Sequence, residues 1–312
     1  MVLGMDNAVL LDAMKSNNKF AVGKLAVVLA GLGFVFTTRQ AIATPISLGT
    51  AGPDNYAVLE IGNGNVSLAN AANAGHINGN VGVAGTGNIS DGGSLPITGN
   101  VQLGTLAGSS GLAGNVSGSV IQNAGSQAAL NQASADATAA SAALKLMTSS
   151  GGGVGITSVS TGGTLSSGVY NLTGLQLNNG AKLILNGGAS DIFIFNISGA
   201  LSLNSAQILL SGGLTSADVI FNITGSQAVQ FSGGLNDPHG EAELNGIILA
   251  PTAAIQITPG AVNGEIISGQ NINIASGGDV NDMVTVPDAG STLLLASMSL
   301  GALGMVRRKM VS

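Results

Sequence analysis

Apolar and polar residues alternate along this chain in short bursts separated by glycine. Leu175 and Leu177 flank Gln176, Leu201 and Leu203 flank Ser202, and Ile255 and Ile257 flank Gln256. Period-two alternation punctuated by Gly187-Gly188 and Gly212-Gly213 predicts short, half-buried β-strands. Leu183-Ile184-Leu185 is apolar throughout, which predicts a strand covered on both faces. The segment Asp191-Ile192-Phe193-Ile194-Phe195-Asn196-Ile197-Ser198-Gly199 is echoed by Asp218-Val219-Ile220-Phe221-Asn222-Ile223-Thr224-Gly225, with Phe, Asn and the closing Gly displaced by 26 residues. Earlier, Gly-Asn-Val recurs at 64–66, 79–81, 99–101 and 114–116, with Gly-Asn-Ile at 87–89. Gly and Asn tolerate left-handed corners, and a β-branched residue then opens a strand. The pattern predicts stacked coils. Phe195 and Phe221 are then inward neighbours in consecutive coils, with Asn196 and Asn222 on the opposite side.

One segment has another period. Leu130, Ala133, Ala137, Ala140, Leu144 and Met147 fall at alternating spacings of three and four, which predicts a helix over 126–147 with one apolar stripe. Its small residues suit close packing on a sheet, and 149–153 reads as a flexible hinge after it.

Both ends read as addresses. Lys15, Lys19 and Lys24 precede an uncharged apolar run from Leu25 to Phe36, and Ala41-Ile42-Ala43 offers the small residues of a cleavage site. That order predicts a signal helix removed by signal peptidase, with 1–43 as the signal peptide. The run is too short for a bilayer, which needs roughly 20 apolar residues. At the other end Val286-Pro287-Asp288-Ala289-Gly290-Ser291-Thr292 leads into an apolar stretch closed by Arg307, Arg308 and Lys309, a cluster that favours the cytoplasmic side. The chain therefore divides into the signal, a β-domain over 44–280, a linker with a sorting motif over 281–291, and a short transmembrane tail over 292–312.

Charge narrows the partners. From Thr44 to Ser291 only Lys145 and Lys182 stand against thirteen acids, a formal charge of −11. Such a surface repels phosphate backbones, so nucleic acid is excluded. No Cys is present, so packing rather than disulfides must hold the fold. Trp is absent and Tyr56 and Tyr170 are the two Tyr, too few to build stacking platforms for sugars or bases.

The densest polar cluster is Asp237-Pro238-His239-Gly240-Glu241-Ala242-Glu243. In an extended conformation Asp237, His239, Glu241 and Glu243 project to one side and could hold a divalent metal. Pro238 and Gly240 break that geometry and favour a solvated loop, so no metal or cofactor is expected. His76 reads as a turn residue. With two His and no Gly-x-Ser-x-Gly elbow, no nucleophilic triad is arguable. Thirteen acids leave a carboxylate pair for glycoside hydrolysis open, but an enzyme is not expected. Asn-x-Ser/Thr triplets at Asn65, Asn88, Asn115, Asn171, Asn196 and Asn222 read as corner and strand chemistry.

Two resemblances join these readings. The order Val-Pro-Asp, apolar helix, basic cluster resembles the PEP-CTERM class of sorting tails, in the variant Val-Pro-Asp-x-Gly-Ser-Thr. The resemblance implies an exosortase, a membrane protease-transferase that removes the tail and releases or attaches the protein at the surface. Leu48-Gly49-Thr50-Ala51 with Tyr56-Ala57-Val58-Leu59, then Ile77 to Val83, Leu165 to Tyr170, Asp191 to Phe195, and Gly246 to Pro251 with Val262-Asn263-Gly264, resemble the bacterial ice-binding-like domains and related adhesive domains. That family implies a mainly β fold, an irregular right-handed β-helix with one long α-helix alongside. Its ice-binding members use a flat Thr- and Ser-rich face; here Thr157, Thr161, Thr164 and Thr173 are scattered, without regular Thr-x-Thr ranks. The expected protein is exported and non-enzymatic, displayed at the envelope or released, and adhesive toward an extended surface such as exopolysaccharide, another cell or ice. Ice binding is the first alternative and a polysaccharide-active enzyme the second.

Overall fold

The computed structural model describes residues 47–53, 55–69, 75–233 and 241–282. The signal segment with Ala41 and Ala43, and the tail with its sorting motif, lie outside the described residues. Within them the fold is mainly β, with three sheets whose strands run parallel apart from one short end strand of sheet A, and one α-helix.

From Gly163 to Asn281 each turn of the chain gives one strand to each sheet. Ile247–Ala250 lies in sheet A, Ile255–Ile257 in sheet B and Ala261–Asn263 in sheet C, before Ile266–Ser268 returns to A beside Ile247–Ala250. Residues at the C-to-A corners repeat the same backbone: Gly168, Gly246 and Gly264 have φ of 153°, 151° and 154°, a region that favours glycine.

The coils do not stack in chain order. Val58–Glu60 lies in mid-sheet, between Val81–Val83 and Ile266–Ser268. From it, 81–83, 101–103 and 120–122 step toward one end. The helix Ala124–Lys145 carries the chain back, and 168–172, 193–197, 219–223, 247–250 and 266–268 fill in until the last strand meets the first. The helix has the length for this. Its 22 residues span about 33 Å at 1.5 Å each. The seven strand intervals from 101–103 to 168–172 span about 34 Å at roughly 4.8 Å each.

The core is the stack of inward side chains. Phe195 pairs with Phe221 in adjacent strands, ring centroids 4.9 Å apart, and Tyr170 lies 4.8 Å from Phe195. This is the stack that the 26-residue echo predicts. The Gly-Asn-Val corners also have a physical role. Asn65 Oδ1 accepts the Asn88 N–H (2.9 Å), Asn80 Oδ1 accepts that of Asn100 (2.8 Å), and Asn100 Oδ1 accepts that of Ser119 (2.9 Å). Each corner side chain thus satisfies a backbone donor one coil away.

The helix covers sheet A. Asn123 caps it, its side chain accepting the Ser126 N–H while the Ser126 hydroxyl accepts the Asn123 N–H. Its buried stripe is Ser126, Leu130, Ala133, Ala137, Ser141 and Leu144. Gly82 makes room for it: a Cβ there would stand 2.7 Å from Leu59 and 2.8 Å from Leu130. At the far end the strand asparagines form a ladder under carbonyls of the last helical turn and of the residues just after it. Asn222 Nδ2 donates to Ser141 O (3.1 Å), Asn196 Nδ2 to Leu144 O (2.7 Å) and Asn171 Nδ2 to Met147 O (3.0 Å). The rungs also bond to one another, Asn222 to Asn196 at 2.8 Å and Asn196 to Asn171 at 2.9 Å. Three residues of helix rise about 4.5 Å, close to the roughly 4.8 Å between strands, so the two ladders match. Carbonyls at a helix end need such partners.

Four expectations change. The helix begins two residues earlier than expected and ends at Lys145; Met147 lies beyond it and is 40% exposed. Ser141 joins the stripe because it faces Asn222, and Ala140 is only partly buried beside it. Ile184 is half-buried on the outer side of its strand beside Leu209, so 183–185 is covered on one face only; strands covered on both lie in sheet A, Phe193–Ile197 and Val219–Ile223 among them. The expected hinge contains Ser150–Gly151, an antiparallel strand against Gly168–Val169 that covers the end of sheet A.

Candidate functional site

The three sheets offer unequal outer faces. That of A is occupied largely by the helix. That of C carries charge, with Lys182, Glu243 and Asp279 on its strands. Sheet B, eight strands wide, carries none outward: its one charged strand residue, Asp91, is buried and accepts from the Gly93 and Leu95 N–H groups and from Asn115 Nδ2.

The outward residues of sheet B line up in register. The central row reads Gln176, Ser202, Gln230, Gln256, Asn273, Ser67, Ser90 and Ser110. Gln176, Gln230, Gln256, Ser67 and Ser110 are exposed and the other three half-buried. Inward neighbours such as Leu177, Leu203, Phe231, Ile257, Ile274 and Leu68 are buried and hold the rungs in place. Face B is therefore a firmly backed array of uncharged donors and acceptors, repeating at about 4.8 Å. At one end of it a shallow open depression is lined by Asn65, Ser67, Asn88, Ser90 and Gly108 to Ser110.

Of the metal candidates, Asp237 and His239 lie outside the described residues. Glu243 uses both oxygens on neighbouring amides: Oε1 accepts from Asn245 and Asn263, both at 3.0 Å, and Oε2 from Gln207 at 3.3 Å. Glu241 stands nearby with Oε1 buried and unbonded. Burial raises its pKa, with Asp279 and Glu243 adding to the rise. His76 is not an isolated turn residue: its Nδ1 lies 2.7 Å from Asp279 Oδ1. Burial raises the Asp279 pKa, and His76 opposes the rise. Among the described residues no three His, Cys, Asp or Glu side chains assemble as a metal site. The Asn245–Asn263–Asn281 ladder above Glu243 holds sheet C together, with Asn263 to Asn245 and Asn281 to Asn263 both at 3.1 Å.

Face B is what sequence reading missed. The Leu-Gln-Leu and Ile-Gln-Ile alternations marked its outward residues, but nothing local aligns Asn273 with Ser67.

Comparison with known proteins agrees with this architecture. Residues 62–279 match the model of the Ice-binding-like family, and residues 285–310 match the VPDSG-CTERM motif. Comparison with curated protein sequences finds no match. Among solved structures, a glycosylated ice-binding protein from an Arctic yeast is 20% identical with a TM-score of 0.56, covering 78% of this chain and 97% of its own. An ice-binding protein from the Antarctic ascomycete Antarctomyces psychrotrophicus is 23% identical with a TM-score of 0.52, covering 78% and 100%. A domain of a Shewanella frigidimarina ice-binding protein is 15% identical with a TM-score of 0.51, covering 76% and 96%. At these identities the structural likeness establishes the fold. The family match spans well over half of the sequence, and the chain belongs to the ice-binding-like family, with a VPDSG-CTERM sorting motif at its C-terminal end.

Proposed function

We propose that the chain is an exported surface protein, an irregular right-handed β-solenoid that binds ice through face B. One observation carries the reading: eight in-register rungs present uncharged hydroxyl and amide groups on a backed face. Binding to a crystal surface requires ligand groups at fixed, repeating spacings, and pre-organisation lowers the entropy lost on contact. Charge would hold a hydration shell that such contact must strip. Face B supplies the regularity and omits the charge. Among the described residues no titratable side chain is directed outward from it. Export follows from the signal segment with its Ala41–Ala43 cleavage site and from the tail, whose motif Val286, Pro287, Asp288, Gly290, Ser291 and Thr292 suits an exosortase. Labelled mature protein offered to a slowly growing ice surface should be taken up into the ice. Its exclusion into the liquid would overturn the reading.

A second reading rests on the three Gln residues of the central row. Their longer amides fit the hydroxyls of an exopolysaccharide as readily as a water lattice, which supports adhesion to matrix or to another cell. Co-sedimentation with purified exopolysaccharide, together with exclusion from ice, would favour it.

A further inference from the structure

We infer that a chain tethered by its C-terminus is held with face B turned away from the tether. The inference takes its interest from the proposed role of face B but is argued from topology alone. The last described strand, Asp279–Asn281, lies in sheet C beside Asn78, and the Asp282 N–H donates to Asn78 O at 2.8 Å. Asn281 is in register with Asn263 and Asn78, so Asp282 occupies the level of Gly264 and Gly79, where other coils turn from sheet C into sheet A. The chain enters at the same corner: Asn55 O accepts from Asn80 Nδ2 at 2.8 Å, and the Ala57 N–H donates to Asn80 O at 2.9 Å. The first residues reach it over the helix, where the Thr50 N–H and hydroxyl both donate to Asp136 Oδ2 at 2.8 Å.

In a three-sided coil the corner between A and C is the one opposite side B. The rung of exit also lies mid-stack, because the last strands meet the first. Val286, the start of the sorting motif, is four residues beyond Asp282, a reach of at most about 14 Å, and Thr292, where the expected membrane tail starts, is ten residues beyond it, at most about 35 Å. The near edge of face B, at Ala275, is itself seven residues from Asp282 around the coil. Because the tether leaves from the A–C edge, its shortest path sets that edge toward the attachment surface and face B outward. Chain order thus orients the module.

The absence of Cys makes the test direct. Gln256→Cys on face B and Thr98→Cys on the sheet C side, both exposed positions, are introduced singly into the full chain. Intact producing cells and the purified mature protein are each treated with a bulky, membrane-impermeant maleimide. The two sites should react at similar rates in solution, and Gln256→Cys should react several-fold faster than Thr98→Cys on cells. Equal rates on cells, or recovery of all the protein from the medium, would overturn the inference. Labelling bias without ice uptake would defeat the ice reading and leave this one standing; ice uptake without bias would do the reverse.

Discussion

Asn222→Ala is the substitution that separates this architecture from a generic stack of strands. The side chain is fully buried, donates to Ser141 O (3.1 Å) and Asn196 Oδ1 (2.8 Å), and accepts from the Ser141 hydroxyl (2.6 Å). From strand alternation alone it faces away from the core and its loss should cost little. The helix that covers this face reverses the expectation. Truncation leaves the Ser141 hydroxyl and Asn196 Oδ1 buried and unpaired, at about 1–3 kcal/mol each. The total, about 2–6 kcal/mol, should lower Tm by roughly 5–20 °C for a domain of this size. Thermal melting followed by circular dichroism measures it. Ser141→Ala alone should cost less, and the Asn222→Ala/Ser141→Ala double substitution should cost less than the sum of the singles, because each removes the other's orphan. A fall of only a degree or two for Asn222→Ala, or strict additivity, would refute the helix-to-ladder linkage.

Phe221→Ala should cost about 3–5 kcal/mol, read as a lowered denaturation midpoint, because it empties a fully buried site between stacked rungs. Ala137→Asp should lower Tm strongly, by an amount corresponding to several kcal/mol, because the helix holds that position fully buried against the sheet. Stability should rise as pH falls from neutral toward the ordinary carboxylate range. Burial raises the folded pKa of Glu60, Glu241 and Asp279, so their protonated forms favour the folded state, and that contribution is lost as pH climbs through the raised values. Asp136 works in the opposite direction, its pKa held down by the Thr50 N–H and hydroxyl. Melting at stepped pH should show the rise, and Glu60→Gln should flatten it.

Much of the fold was legible because its rules are local. Gly-Asn-Val marked corners, since Asn offers a short side chain that can reach the next coil's N–H, as Asn65, Asn80 and Asn100 do. The 26-residue echo placed Phe195 against Phe221 because the same Phe-Asn pattern recurs one coil later. Elsewhere coil lengths differ: on face B, Ser202 pairs with Gln230 but Gln256 with Asn273, so no fixed period aligns the row. The closure of the last coil onto the first, Ile266 beside Val58, is a long-range packing outcome with no signature in either segment. The Asn171–Asn196–Asn222 ladder was visible as three Asn-x-Ser/Thr triplets, but its purpose depends on helix carbonyls that arrive from a distant part of the chain.

The central claim, that face B is the ice-binding surface, is tested most directly by inhibition of ice recrystallisation with single lysines placed face by face. Ser67→Lys and Asn273→Lys stand on adjacent rungs of face B, and Thr164→Lys on an exposed position of sheet C. A lysine that must be desolvated at the contact should raise the concentration needed for inhibition by about tenfold or more. The account predicts that loss for both face B variants and wild-type inhibition for Thr164→Lys. Equal activity of all three variants, or loss only in Thr164→Lys, would contradict it.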